Sequence, residues 1–213
     1  MKILRLLLAL TLVAGGCLTS RALYLHTKAQ LAGVLIRRAW QESVKKGTSR
    51  PPWPWADSHP VARLRIPRLD YDEIVLDAAT PRSLAFGPAR LLSSAGLGEP
   101  GSLVLAGHRT SWFRPLESIA AGDTIELEWF DARHSRLLDR TYMVSAIRVV
   151  LPEDVTLLRP TSDDALTLIT CYPFGRSPKS PQRFIVRASP TGPSRPAEVS
   201  VAAVQTATVH GRH

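Results

Sequence analysis

Short runs with strand character, several alternating between apolar and polar residues and ALTLITC apolar on both faces, fill the middle of the chain. They are ARLRIP (62–67), EIVLDA (73–78), SLVLAGH (102–108), TIELEWF (124–130), RTYMVSAIRVV (140–150), ALTLITC (165–171) and RFIVRA (183–188). Alternation with period two over a few residues is the mark of a strand with one buried face. Turn-forming residues separate the runs, as in GEPG at 98–101, AGD at 121–123 and YPFGRSPKSP at 172–181. Only short helical possibilities lie between them, at 81–86, 114–120 and 153–158. This spacing predicts an all-β domain over residues 61–188, a closed barrel or a sandwich.

The flanks read differently. Leu25, Ala29, Ala32, Ile36, Trp40 and Val44 recur at helical spacing and predict an amphipathic helix over 22–47. Such a helix is either a stalk or packed segment, or one that lies on a membrane surface. TSRPPWPWADSHP, with four prolines and two tryptophans, predicts a stiff linker at 48–60. Residues 189–213 are rich in Ser, Pro, Thr and Ala and predict a disordered tail.

At the start, Lys2 and Arg5 precede an uncharged stretch from Leu6 to Ser20. Those residues would span about 22 Å as a helix, short of the roughly 30 Å hydrocarbon core. Residues 1–21 therefore predict export, with a cleaved signal and a retained anchor both open. Charge agrees with a membrane partner. Of the formal net charge of +9, residues 1–59 carry +7 and residues 60–188 only +1. A nucleic-acid binder carries its basic patch on the folded domain; a basic segment beside an apolar terminus suits anionic lipid.

Three residues stand at strand ends. Cys171 closes ALTLITC, His108 closes SLVLAGH after Gly107, and Arg183 opens RFIVRA. By position alone each has a plain reading: a small buried hydrophobe, a histidine bonded to a loop carbonyl, a solvated charge. Together they can do specific chemistry. A thiolate is a nucleophile, and a histidine accepts and returns its proton. A fixed guanidinium stabilises the oxyanion that forms when an amide carbonyl is attacked. The other Cys/Arg reading fails on spacing, since four residues separate Cys171 from Arg176 where a phosphatase loop needs five. No Cys/His group has zinc spacing and no acidic cluster marks a calcium site, so neither metal nor cofactor is expected.

LAGHR (105–109), TLITC (167–171) and RFIV (183–186), with 62 residues between His108 and Cys171 and 11 between Cys171 and Arg183, resemble the signature of the sortases. The likeness spans about residues 60–188. It implies an eight-stranded β-barrel with Cys171 as nucleophile, His108 as acid/base and Arg183 as oxyanion or substrate-positioning group. Thr170, Ile169 and Tyr172, beside the cysteine, are expected to contact substrate. The implied reaction cleaves an exported protein at a Leu-Pro-x-Thr-Gly-like C-terminal sorting signal through a thioacyl-enzyme, then transfers the acyl group to an amine. Hydrolysis by water, or binding without catalysis, is the alternative. ADSHPVARLRIPRL (56–69), FGP (86–88) and GHRTSWFRPL (107–116) are most similar to the proteobacterial sortases. That likeness implies a periplasmic domain anchored to the inner membrane by its N-terminus.

Overall fold

The computed structural model describes residues 15–16, 19–20, 27, 30–131, 136–154, 163–175 and 181–197. Among them, nine strands occur in chain order. They are β1 (Pro60–Ile66), β2 (Tyr71–Leu76), β3 (Ala89–Arg90), β4 (Ser102–Ala106), β5 (Thr124–Asp131), β6 (Arg136–Val150), β7 (Ala165–Tyr172), β8 (Gln182–Pro190) and β9 (Arg195–Pro196). The strand order is β5-β1-β2-β3-β4-β7-β8-β6, and β5 also pairs with β6. That second pairing closes an eight-stranded barrel, and β9 adds to β6 outside the ring.

The alternation of β1 and β5 shows why the register is firm. Ala62, Leu64 and Ile66 point inward, opposite the inward Trp129 and Leu127 of β5. Arg63 and Arg65 point outward and stand opposite Glu128 and Glu126, with Arg65 3.0 Å from Glu126. A slip of one residue would bury both arginines and expose the leucines, so the pattern admits one pairing. β6 bends at a bulge between Val144 and Ala146, so that its first half pairs with β5 and its second with β8. The interior is filled by Leu64, Ile66, Leu103, Leu105, Leu166, Leu168 and their neighbours, with Phe113, Leu116 and Ile119 closing one mouth.

A helix, α1 (30–46), lies on the outside of the barrel. Its Ile36 and Trp40 pack on Ile74, Leu76 and Ala89, with Trp53 and Phe86 at the edge. Arg37 adds a bond to the Asp72 carbonyl (2.7 Å) and an ion pair to Glu73 (3.1 Å). Gly47, at φ +67°, ends the helix in the left-handed conformation that glycine adopts without cost. The helix is therefore docked on the domain, and its apolar stripe is spent on β2 and β3.

The segment 48–60, expected as a stiff linker, packs against the domain. Trp53 meets the Phe86 ring edge-on at 5.4 Å, and Asp57 pairs with Arg82 at 2.8 Å. A second correction concerns the chain after Ala188. β8 runs on to Pro190, and β9 pairs Arg195 and Pro196 with Asp139 and Leu138. Composition suggested disorder there, but the exposed edge of β6 supplies backbone partners that need no large side chains. The helical possibility at 153–158 falls largely, and residues 198–213 fall wholly, outside the described residues, as does most of segment 1–21. Among the described residues no helix is long and apolar enough to cross a membrane.

Candidate active site

β7 has two unlike faces. Leu166, Leu168 and Thr170 stand opposite Ala188, Val186 and Phe184 of β8, and all three partners line the barrel interior. Thr167, Ile169 and Cys171 stand opposite Arg187, Ile185 and Arg183 and so face outward. Along this outer face burial falls toward the strand's end. Thr167 is buried, whereas Ile169 and Cys171 are partly open. β4 runs parallel beside β7, with Ala106 opposite Ile169. Ala106 and Ile169 thus make a small apolar floor that leads to Cys171.

Cys171 and Arg183 are direct cross-strand partners. Such pairs leave the sheet on one face with Cβ atoms about 4.5–5.5 Å apart. Their juxtaposition follows from pairing two extended runs whose inward sets are both apolar. Among the described residues Cys171 is a free cysteine. Arg187 lies four residues further along β8 on the same outer face, opposite Thr167, so Arg183 is the guanidinium paired with Cys171 and the one placed to favour a developing oxyanion.

His108 reaches this place by the parallel register of β4 and β7. The ladder continues past Ala106, where the Gly107 N–H donates to the Ile169 carbonyl at 3.2 Å. The Thr170 hydroxyl then donates to the Gly107 carbonyl at 2.7 Å. One residue on, His108 stands level with Cys171, exposed at the strand end. Its own carbonyl accepts the Phe113 N–H at 3.0 Å, which turns the chain back over the barrel mouth. Gly107 is required there for space. A Cβ at that position would lie 2.7 Å from the Phe113 ring, inside any real contact.

The residues expected to touch substrate divide. Ile169 lies on the open floor. Thr170 does not, because its side chain points inward, is 3% exposed and is committed to Gly107. It holds the turn that carries His108. Tyr172 shares the inward parity and joins an aromatic cluster at the mouth, stacked on Phe184 at 6.2 Å and edge-on to Phe174 at 6.1 Å. Two parts of the site escaped the sequence reading. One is this hydroxyl tie, and the other is Arg109, which donates to the Pro173 carbonyl at 2.6 Å. The GHR run carried the signal for Arg109, but the partner is a backbone oxygen 64 residues away that no motif marks.

A separate groove of about 810 Å³ lies at Arg37, Asp72, Glu73, Ser111, Trp112 and Pro115. Charged and aromatic side chains line it together, and burial raises the Glu73 carboxyl above its ordinary range despite Arg37 beside it. None of the expected site residues lines it. Among the described residues no group of three or more His, Cys, Asp or Glu could hold a metal ion. The candidate site is the outer face at the ends of β4, β7 and β8: a thiol, an imidazole and a guanidinium at one level of three adjacent strands.

Comparison with known proteins identifies the family. A family model described as the sortase domain matches residues 64–191, which include all three residues. The chain belongs to the sortase family. Sortases are cysteine transpeptidases. A curated relative, sortase D of Bacillus subtilis (strain 168), is 27% identical over 127 residues, covering 58% of this chain and 60% of the relative. The chain thus matches less than two thirds of that relative's length. Among solved structures, sortase A from Corynebacterium diphtheriae is 30% identical with a TM-score of 0.54, over 65% of this chain and 63% of that one. A Clostridium perfringens sortase D5 transpeptidase, at 18% identity and TM-score 0.60, shares the fold over 76% of this chain and 99% of its own. The closed eight-stranded barrel is the sortase fold.

Proposed function

We propose that this protein is a sortase transpeptidase in which Cys171 is the nucleophile, His108 the acid/base and Arg183 the oxyanion-stabilising or peptide-positioning group. The observation that carries the proposal is the level placement of Cys171 between a β4 end bearing His108 and a β8 residue, Arg183, paired directly across from it.

The substrate is an exported protein with a Leu-Pro-x-Thr-Gly-like sorting signal laid over the Ala106–Ile169 floor. The Cys171 thiolate attacks the carbonyl of the Thr–Gly bond, and Arg183 meets the oxyanion. Collapse breaks the C–N bond, and His108 protonates the departing amine. The thioester keeps the acyl group activated until a second amine attacks; its proton passes to His108, a new amide forms, the C–S bond breaks and the Cys171 thiolate is regenerated beside the protonated His108. Ile169 contacts the bound peptide from below. Sulfur suits this cycle because a thioester is more open to an amine than an ordinary ester would be.

The apolar run Leu6–Ser20 and the +7 charge of residues 1–59 support an N-terminal membrane tether with the domain on the outer side. The runs at 56–69, 86–88 and 107–116 support a place among the proteobacterial sortases, hence the inner membrane and periplasm. The test is product analysis with a panel of Leu-Pro-x-Thr-Gly-like peptides, with and without a small amine. Transfer predicts cleavage after Thr and an amide of the added amine. A free acid unchanged by the amine would indicate a protease, and no cleavage of any peptide would count against the proposal.

A further inference from the structure

A histidine that exchanges protons with a nucleophile is commonly oriented by a third side chain. Among the described residues, the His108 side chain has no hydrogen-bond or ion-pair partner. Its placement must then come from the backbone on either side of it. On one side Gly107 is fastened to β7 twice, through the Ile169 carbonyl and the Thr170 hydroxyl. On the other side stands Arg109, whose guanidinium donates to the Pro173 carbonyl at 2.6 Å, two residues beyond Cys171.

The chemistry of that link is well matched. Proline has no N–H, so the turn after Cys171 lacks one of the backbone donors that would otherwise tie it down. A guanidinium brings several donors in a rigid plane, and a charged donor makes the stronger bond to a carbonyl. Arg109 therefore joins the two loops that carry the acid/base and the nucleophile, and it does so on the side that Thr170 does not reach.

We propose that Arg109 is a positioning residue that sets the separation of His108 and Cys171 by bridging the β4 turn to the Pro173 carbonyl. This rests on the function proposed above. Loosening the bridge lets His108 drift, and a displacement near 1 Å can cost on the order of a hundredfold in rate. Arg109→Ala should lower kcat by about 10- to 100-fold with KM changed much less, and Arg109→Lys should recover part of the loss. The melting temperature should move little.

The discriminating experiment is alkylation of Cys171 by iodoacetamide across pH in four chains: the native chain, Arg109→Ala, His108→Ala and the double variant. If Arg109 acts through His108, the two effects are non-additive, and removing His108 from the Arg109→Ala chain changes the profile little further. Additive effects, or a full His108 dependence in the Arg109→Ala chain, would overturn the proposal. Indifference of Cys171 to His108 in the native chain would instead overturn the function it rests on. If the alanine variant does not fold, Arg109→Lys and Arg109→Gln carry the same comparison. A lysine variant with weakened coupling supports the bridge, and a glutamine variant with native coupling contradicts it.

Discussion

Thr170 and Cys171 are neighbours in sequence and opposites in surroundings. Thr170 faces the barrel interior at 3% exposure with its hydroxyl committed, while Cys171 faces outward on a partly open floor. The same division runs down the strand, with Leu166 and Leu168 inside and Ile169 outside. One strand thus holds the fold together with every second residue and carries the proposed nucleophile on its other face. Damage to the two faces should therefore separate into loss of stability and loss of activity.

The sharpest separation is expected at Cys171. Cys171→Ala should lower transfer by at least about a thousandfold, yet cost under about 1 kcal/mol of stability, because the side chain is only partly buried and, among the described residues, the thiol has no bonding partner. Thermal melting beside product analysis checks both. Leu168→Ala should do the reverse. The side chain is fully buried, and its removal should cost about 2–5 kcal/mol. A melting curve within a degree of the native one would break the comparison.

Thr170→Val sits between the two, since it keeps the shape and removes the bond to Gly107. About 1 kcal/mol should be lost for the unpaired carbonyl, together with a measurable fall in kcat as the His108 turn loosens. Thr170→Ser should restore most of both.

The smallest effect is expected at the strand's other end. Asp164 accepts the Gly101 N–H and pairs with Arg140, and that backbone bond foremost holds its carboxyl below the ordinary range. A carboxylate depressed in the folded state lends stability above its unfolded pKa, and that stability is lost as pH falls through the lower folded value. Asp164→Asn should therefore reduce stability near neutral pH and flatten the acid limb of the pH–stability curve. Unfolding at several pH values measures it, and an unchanged acid limb would count against the assignment.

The strands were legible because their signal is local, as in the period-two alternation of β1 and β5. His108, Cys171 and Arg183 were singled out by motifs that resemble the sortase signature, since strand-end position alone gave each a plain structural reading. What was illegible depends on neighbours far away in sequence. Alternation could not assign the faces of β7, since both are apolar: β4 and β8 flank it and its outer face is covered as far as Thr167. β3 and β9 have two residues each, too few to show a period. The apolar stripe of α1 reads the same for a bilayer and for the outside of a barrel; Ile74 and Leu76 decide it. The side of Thr170 was missed for the same reason as the faces of β7.

The central claim is that Cys171 carries an acyl group between two amines. Intact-mass spectrometry of the full chain, incubated with Pro-x-Thr-Gly peptides, tests it most directly. The account predicts an added mass equal to the peptide's N-terminal part, absent in Cys171→Ala and released by hydroxylamine as the hydroxamate. Peptide cleavage that persists in Cys171→Ala, or an adduct that survives in that variant, would contradict it.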